Sequence, residues 1–115
     1  MTSHAVDELT VLQPSGDFLE GPACDELEQE LFSLAERGCR VVVDLSRTRV
    51  LTAHCLGVLA RACRLAVASG GGLAVCGTGE LQRWLFGVTR LADALPLFAS
   101  EREAVEFLGA GRATG

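Results

Sequence analysis

The run Val41, Val42, Val43 and Leu45 constrains this chain more than any other stretch. Its continuous, mostly β-branched apolar residues suit a central strand buried on both faces, because a strand with one wet face would alternate apolar and polar. Ser46, Arg47, Thr48 and Arg49 then form a polar turn leading to Val50 and Leu51. The segment from His54 to Ala68 follows with the composition and period of a helix. In an open α/β sheet, functional surface gathers at such a strand-to-helix crossing.

The rest of the chain supplies partners for that strand. Residues 1–8 carry no pattern and are expected to be flexible. Leu9 to Leu12 has the character of an edge strand, and Pro14, Ser15 and Gly16 turn the chain toward a short strand around Phe18 and Leu19, together suggesting a hairpin. A helix is predicted from Ala23 to Arg37, with Pro22 near its first turn, Leu27, Leu31 and Leu34 at helical spacing, and Gly38 as its C-terminal cap. Its acidic residues Asp25, Glu26 and Glu28 suit the positive end of the helix and a solvated face.

Beyond the central helix, Ser69 to Gly72 reads as a turn and Leu73 to Cys76 as a strand. A helix is predicted over Leu81 to Val88, a short strand over Leu95 to Phe98, and a last helix capped by Ser100 with Glu103 three residues on. Residues 109–115 form a small-residue tail, expected to be flexible. The order predicts one α/β domain over residues 9–108, a mixed sheet of about five strands packed with about four helices. At 115 residues, the chain can bury one such core without staples.

Composition narrows the function classes. The net charge is −5, which argues against a nucleic-acid partner, since those usually need a basic face. No apolar run approaches the roughly 20 residues that span a bilayer, so no membrane insertion and a cytoplasmic location are expected. Cys24, Cys39, Cys55, Cys63 and Cys76 lack paired metal spacing and are expected to be small buried hydrophobes in a reducing compartment. No residue set supplies a nucleophile with a base, paired acids or an open metal site, so no catalytic residue, metal or cofactor is assigned. Gly77, Thr78 and Gly79 could receive a phosphate at a helix start, but lone Gly-x-Gly is ordinary loop chemistry. Trp84 and Phe86 are expected to pack in the core and at its rim rather than to stack on bases.

The stretch VVVDLSRTRVLTAHCLGVL resembles the signature of STAS domains, the fold of anti-sigma factor antagonists. In that family a strand ending Asp-Leu-Ser leads to Asp-Ser-Ser-Gly-Leu-Gly at a helix start. The resemblance extends to GCRVVVDLS, the Leu-Ala-Asp-Ala-Leu connection and the closing Ser-x-x-Glu-Ala helix. It departs at the centre. Thr52, Ala53, His54 and Cys55 replace Asp-Ser-Ser-Gly, and Leu56, Gly57, Val58 and Leu59 resume the pattern; the family's phosphorylated serine falls on His54.

The resemblance implies a non-enzymatic bacterial signalling domain in transcription regulation, whose partner is an anti-sigma factor or related kinase-like regulator. At about 100° per residue, His54, Gly57, Arg61 and Arg64 form one exposed stripe, with Val58 and Leu65 beside it; these six are the expected partner contacts. Cys55, Leu56, Leu59, Cys63 and Ala66 turn to the core. Thr52 retains a hydroxyl two residues from the family's site and is a second candidate acceptor. Two alternatives stay open: an accessory STAS subunit of a lipid-transport ATPase, and a small redox- or nucleotide-responsive domain resting on Cys55 and the Gly77–Gly79 turn. An exposed edge strand leaves self-association open.

Overall fold

The structure is a computed structural model and describes residues 2–6, 9–19, 21–79, 84 and 95–113. Its strands are β1 (Thr2–Val6), β2 (Leu9–Gln13), β3 (Gly16–Leu19), β4 (Arg40–Asp44), β5 (Thr48–Leu51), β6 (Gly72–Cys76) and β7 (Leu97–Phe98). Its helices among the described residues are α1 (Gly21–Glu36), α2 (Ala53–Ala68) and α3 (Glu101–Ala113). Three helices are therefore described where the sequence predicts four; the expected helix over 81–88 lies outside the described residues except for Trp84, which is helical.

The main sheet has the order β1-β2-β4-β6-β7, with β1 antiparallel to β2 and the remaining neighbours parallel. It is the mixed sheet of five strands expected from the sequence. β4 lies at its centre, where Val41, Val42 and Val43 are all 0% exposed. Alternation sorts the core into two layers. Leu12, Val41, Val43, Leu73 and Val75 meet α1 and α2 on one face, while Leu9, Val11, Val42, Ala74 and Cys76 meet Ala104 and Leu108 of α3 on the other. Each fully buried leucine or valine contributes about 1.5–3 kcal/mol through removal of apolar surface from water.

Several elements differ from expectation, among them β5, whose Thr48 and Arg49 were expected in a polar turn. Residues 1–8, predicted flexible, contribute β1, which pairs along its length from Thr2↔Gln13 to Val6↔Leu9. His4 Nε2 also lies 3.0 Å from Glu101 Oε1, joining that strand to the start of α3. The hairpin is accordingly β1–β2; β2 is an interior strand, and β3 instead pairs in parallel with β5 in a separate two-stranded sheet. At the other end, α3 extends to Ala113, past the predicted start of the tail.

The helix ends follow their caps. Gly38, with φ +72°, ends α1 in the left-handed conformation that glycine tolerates best, and its amide donates to Ala35 O at 3.0 Å. Glu103 N donates to Ser100 Oγ at 3.2 Å, the predicted cap of the last helix. No helix among the described residues is long and apolar enough to cross a membrane.

Candidate functional site

The small β3–β5 sheet determines where the central helices begin. Leu19 pairs with Leu51, and each strand gives way to its helix two residues later, at Gly21 and Ala53. Parallel strands in register thus launch α1 and α2 side by side in the same direction. Contacts along the pair confirm the direction: Cys24 meets Cys55 near the starts, the Arg61 guanidinium sits 6.0 Å from the Phe32 ring centre midway, and Gly38 abuts Ser69 at the far ends. The junction is held from below by Thr48 Oγ1 donating to Pro14 O at 2.9 Å and Gly16 N donating to Arg47 O at 3.1 Å.

The β4–β5 turn is built by Asp44. Its Oδ1 accepts from Ser46 N at 2.9 Å and its Oδ2 from Gln13 Nε2 at 3.0 Å. Gly77 closes over this turn: a Cβ there would lie 2.6 Å from Asp44 Oδ1 and 2.8 Å from Ser46 N, and its φ is +74°. That close approach accounts for the glycine through packing, without a phosphate. Cys76 beside it is pushed up to about 12, first by burial and then by the negative charges of Asp44 and Glu101. Burial likewise raises the Cys63 thiol. Both sulfurs are thereby held as neutral thiols at pH 7, poor nucleophiles.

At the start of α2, Thr52 is the N-cap, and its Oγ1 accepts from Cys55 N at 3.2 Å. The Thr52 hydroxyl therefore carries a structural role. Ala53 and His54 are exposed, Gly57 is half-buried with open space where a side chain would stand, and Arg61 and Arg64 are exposed. Four of the expected contacts, His54, Gly57, Arg61 and Arg64, thus lie on one accessible face. The predicted core side, Cys55, Leu56, Leu59, Cys63 and Ala66, is buried.

Val58 does not reach that face. It is 0% exposed and belongs to the buried cluster containing Leu27 and Leu31 of α1. A wheel drawn for α2 alone places Val58 at the margin of the polar stripe; in the fold it belongs to the core that α2 shares with α1 and the sheet. Leu65 is half-buried and packs against the same cluster. Trp84 departs from expectation in the other direction, being 62% exposed, while Phe86 lies outside the described residues.

The pattern of free buried cysteines also changes. Cys24 and Cys55, 1% and 0% exposed, are joined by a disulfide bond with their Cα atoms 6.2 Å apart. Cys63 and Cys76 are buried free thiols, and Cys39 is a half-buried one. The pairing eluded the sequence because it depends on the register between two helices. The available signal was faint: one cysteine in the opening turns of each of two strand-launched helices.

No protein-family model and no curated protein matches the chain. Solved structures do. An anti-sigma factor antagonist from Mycobacterium paratuberculosis superposes with a TM-score of 0.81 at 22% identity, over 93% of this chain and 91% of that one. An anti-sigma-factor antagonist (STAS) domain protein from Planctomyces limnophilus gives 0.79 at 13% identity, over 94% and 97%. The anti-sigma factor antagonist SpoIIAA in its unphosphorylated form gives 0.77 at 16% identity, over 95% and 96%.

Proposed function

We propose, from the premise that this chain has the STAS fold, that it is a non-enzymatic interaction domain acting as an anti-sigma factor antagonist. The carrying observation is the accessible row His54, Gly57, Arg61 and Arg64 on α2, at the junction where the family signature places its serine. Gly57, with open space where a side chain would stand, lies between His54 and the two arginines along this row. Arginine at such a surface favours an acidic or carboxylate-bearing patch on the partner, and a serine-kinase type of anti-sigma factor is the partner class this reading names. Leu65 contributes from the half-buried margin, and Val58 supports the face from beneath.

SpoIIAA has been solved in phosphorylated as well as unphosphorylated form. Phosphorylation there would add about −1.5 to −2 charges to an interface. Here the serine position holds His54, and Thr52, the nearby hydroxyl, caps the helix. The degenerate site 52–55 therefore removes serine-kinase control while the docking face persists, making the domain a constitutive antagonist in the cytoplasm.

The expected result of tagging the chain in its native cell is co-purification of a kinase-like anti-sigma factor, identified by mass spectrometry, with residues 52–55 unmodified. Recovery of a transport ATPase in its place would overturn the antagonist assignment. Recovery of the anti-sigma factor with phosphate on Thr52 or His54 would overturn the loss of phosphorylation control.

A further inference from the structure

We infer that Cys24 and Cys55 form a reversible redox modification site that fastens the starts of α1 and α2 together. Three observations converge on this pair. The sulfurs are bonded in the structure, and the Cα separation of 6.2 Å lies within the roughly 4.4–6.8 Å that disulfides use. The β3–β5 register and the parallel helices impose that approach from the backbone, so the pairing does not depend on a flexible loop. Both residues sit in opening turns, Cys24 as the fourth residue of α1 and Cys55 as the third of α2.

The location gives the bond a consequence. Cys55 follows His54 directly, and its amide donates to the Thr52 cap. Oxidation therefore ties the first turn of α2, the edge of the exposed row, to its neighbour. In the reduced state the helices remain packed through Leu27, Leu31, Val58 and Leu59, but the start of α2 loses its covalent anchor. Cys63 and Cys76 stand apart from this pair as buried free thiols.

The oxidant assigned is a low-molecular-weight disulfide. The thiolate of one cysteine attacks its sulfur, forming a mixed disulfide and releasing one small thiol. The thiolate of the second cysteine then attacks the protein sulfur of that mixed disulfide, closing the bridge and releasing a second small thiol. Overall, two protein thiols lose two electrons and two protons, and one small disulfide gains them. Because both sulfurs are sealed in the folded domain, exchange proceeds through opening of the first turn of α1, where Gly21, Pro22 and Ala23 are exposed.

The test uses the full chain and no partner, so it stands or falls apart from the antagonist reading. Protein equilibrated with oxidised glutathione, or with dithiothreitol, is unfolded in an alkylating agent, counted by mass and mapped by peptides. The expected result is three alkylated cysteines after oxidation, with Cys24 linked to Cys55, and five after reduction. Reduction is also expected to lower Tm by about 10 °C and to speed amide exchange at residues 53–57. The variants Cys24→Ser and Cys55→Ser should show none of these redox-dependent changes. Five alkylated cysteines after oxidation, or a bridge to Cys39, Cys63 or Cys76, would overturn the assignment. So would a bridge that forms but leaves exchange at residues 53–57 unchanged.

Discussion

Val58→Asp is expected to unfold the domain, with loss of the cooperative transition in urea and of native circular dichroism at pH 7. The position is fully buried in the core that α1, α2 and the sheet share. The substitution forfeits roughly 2 kcal/mol of apolar burial and introduces a carboxylate without a partner, which costs several kcal/mol more. Domains of this size are stable by only about 5–15 kcal/mol, so the sum is enough to depopulate the native state. Val58→Ala separates burial from charge. It leaves a small cavity costing about 2 kcal/mol and should fold, with its urea midpoint lowered but its slope retained. A Val58→Asp protein with the parent's midpoint would show that the side chain is outside the core.

Gly71→Ala is expected to destabilise by about 3 kcal/mol or more, read as a fall in the urea midpoint. A Cβ on Gly71 would run into Cys39 O, and would lie 2.5 Å from Gly38 O and 2.6 Å from Gly38 C. All are backbone atoms, so no side chain can swing aside. Here the turn after α1 and the turn after α2 lie backbone on backbone, where the parallel helices end. Gly70→Ala is the comparison: its φ of +91° strains a side chain, but nothing lies within 4 Å of the new methyl. Its expected cost is about 1 kcal/mol. Equal losses in the two variants would mean that conformational strain, rather than the close contact, governs this turn.

Much of the fold was legible because burial leaves a pattern. Val41 to Val43 could only be a doubly covered strand, and the leucines of α1 and the core side of α2 fall where helical spacing puts them. β1 left no such mark: Ser3, His4 and Ala5 are exposed, so the strand exists through its backbone ladder to β2. β5 was hidden by exposed Arg49 within a strand only four residues long.

The exposure of the proposed face was legible on the same terms. His54, Gly57, Arg61 and Arg64 came from the phase of a single helix and are accessible. Val58 and the Cys24–Cys55 bond required knowing what lies beside that helix. That information resides in the pairing of β3 with β5, two short strands that the sequence places in different contexts. Neighbouring elements therefore decide the features that single-element periodicity misses.

The most direct test of the proposed docking face is the affinity of the purified chain for its anti-sigma partner, compared with an Arg61→Glu, Arg64→Glu double variant by titration calorimetry. Both residues are exposed, so circular dichroism should stay that of the parent, with Tm lowered by only a few degrees through loss of the Arg61–Phe32 contact. Placing two negative charges opposite an acidic partner patch is expected to weaken binding by at least tenfold. Unchanged affinity in a folded double variant would contradict the account and move the interface off α2.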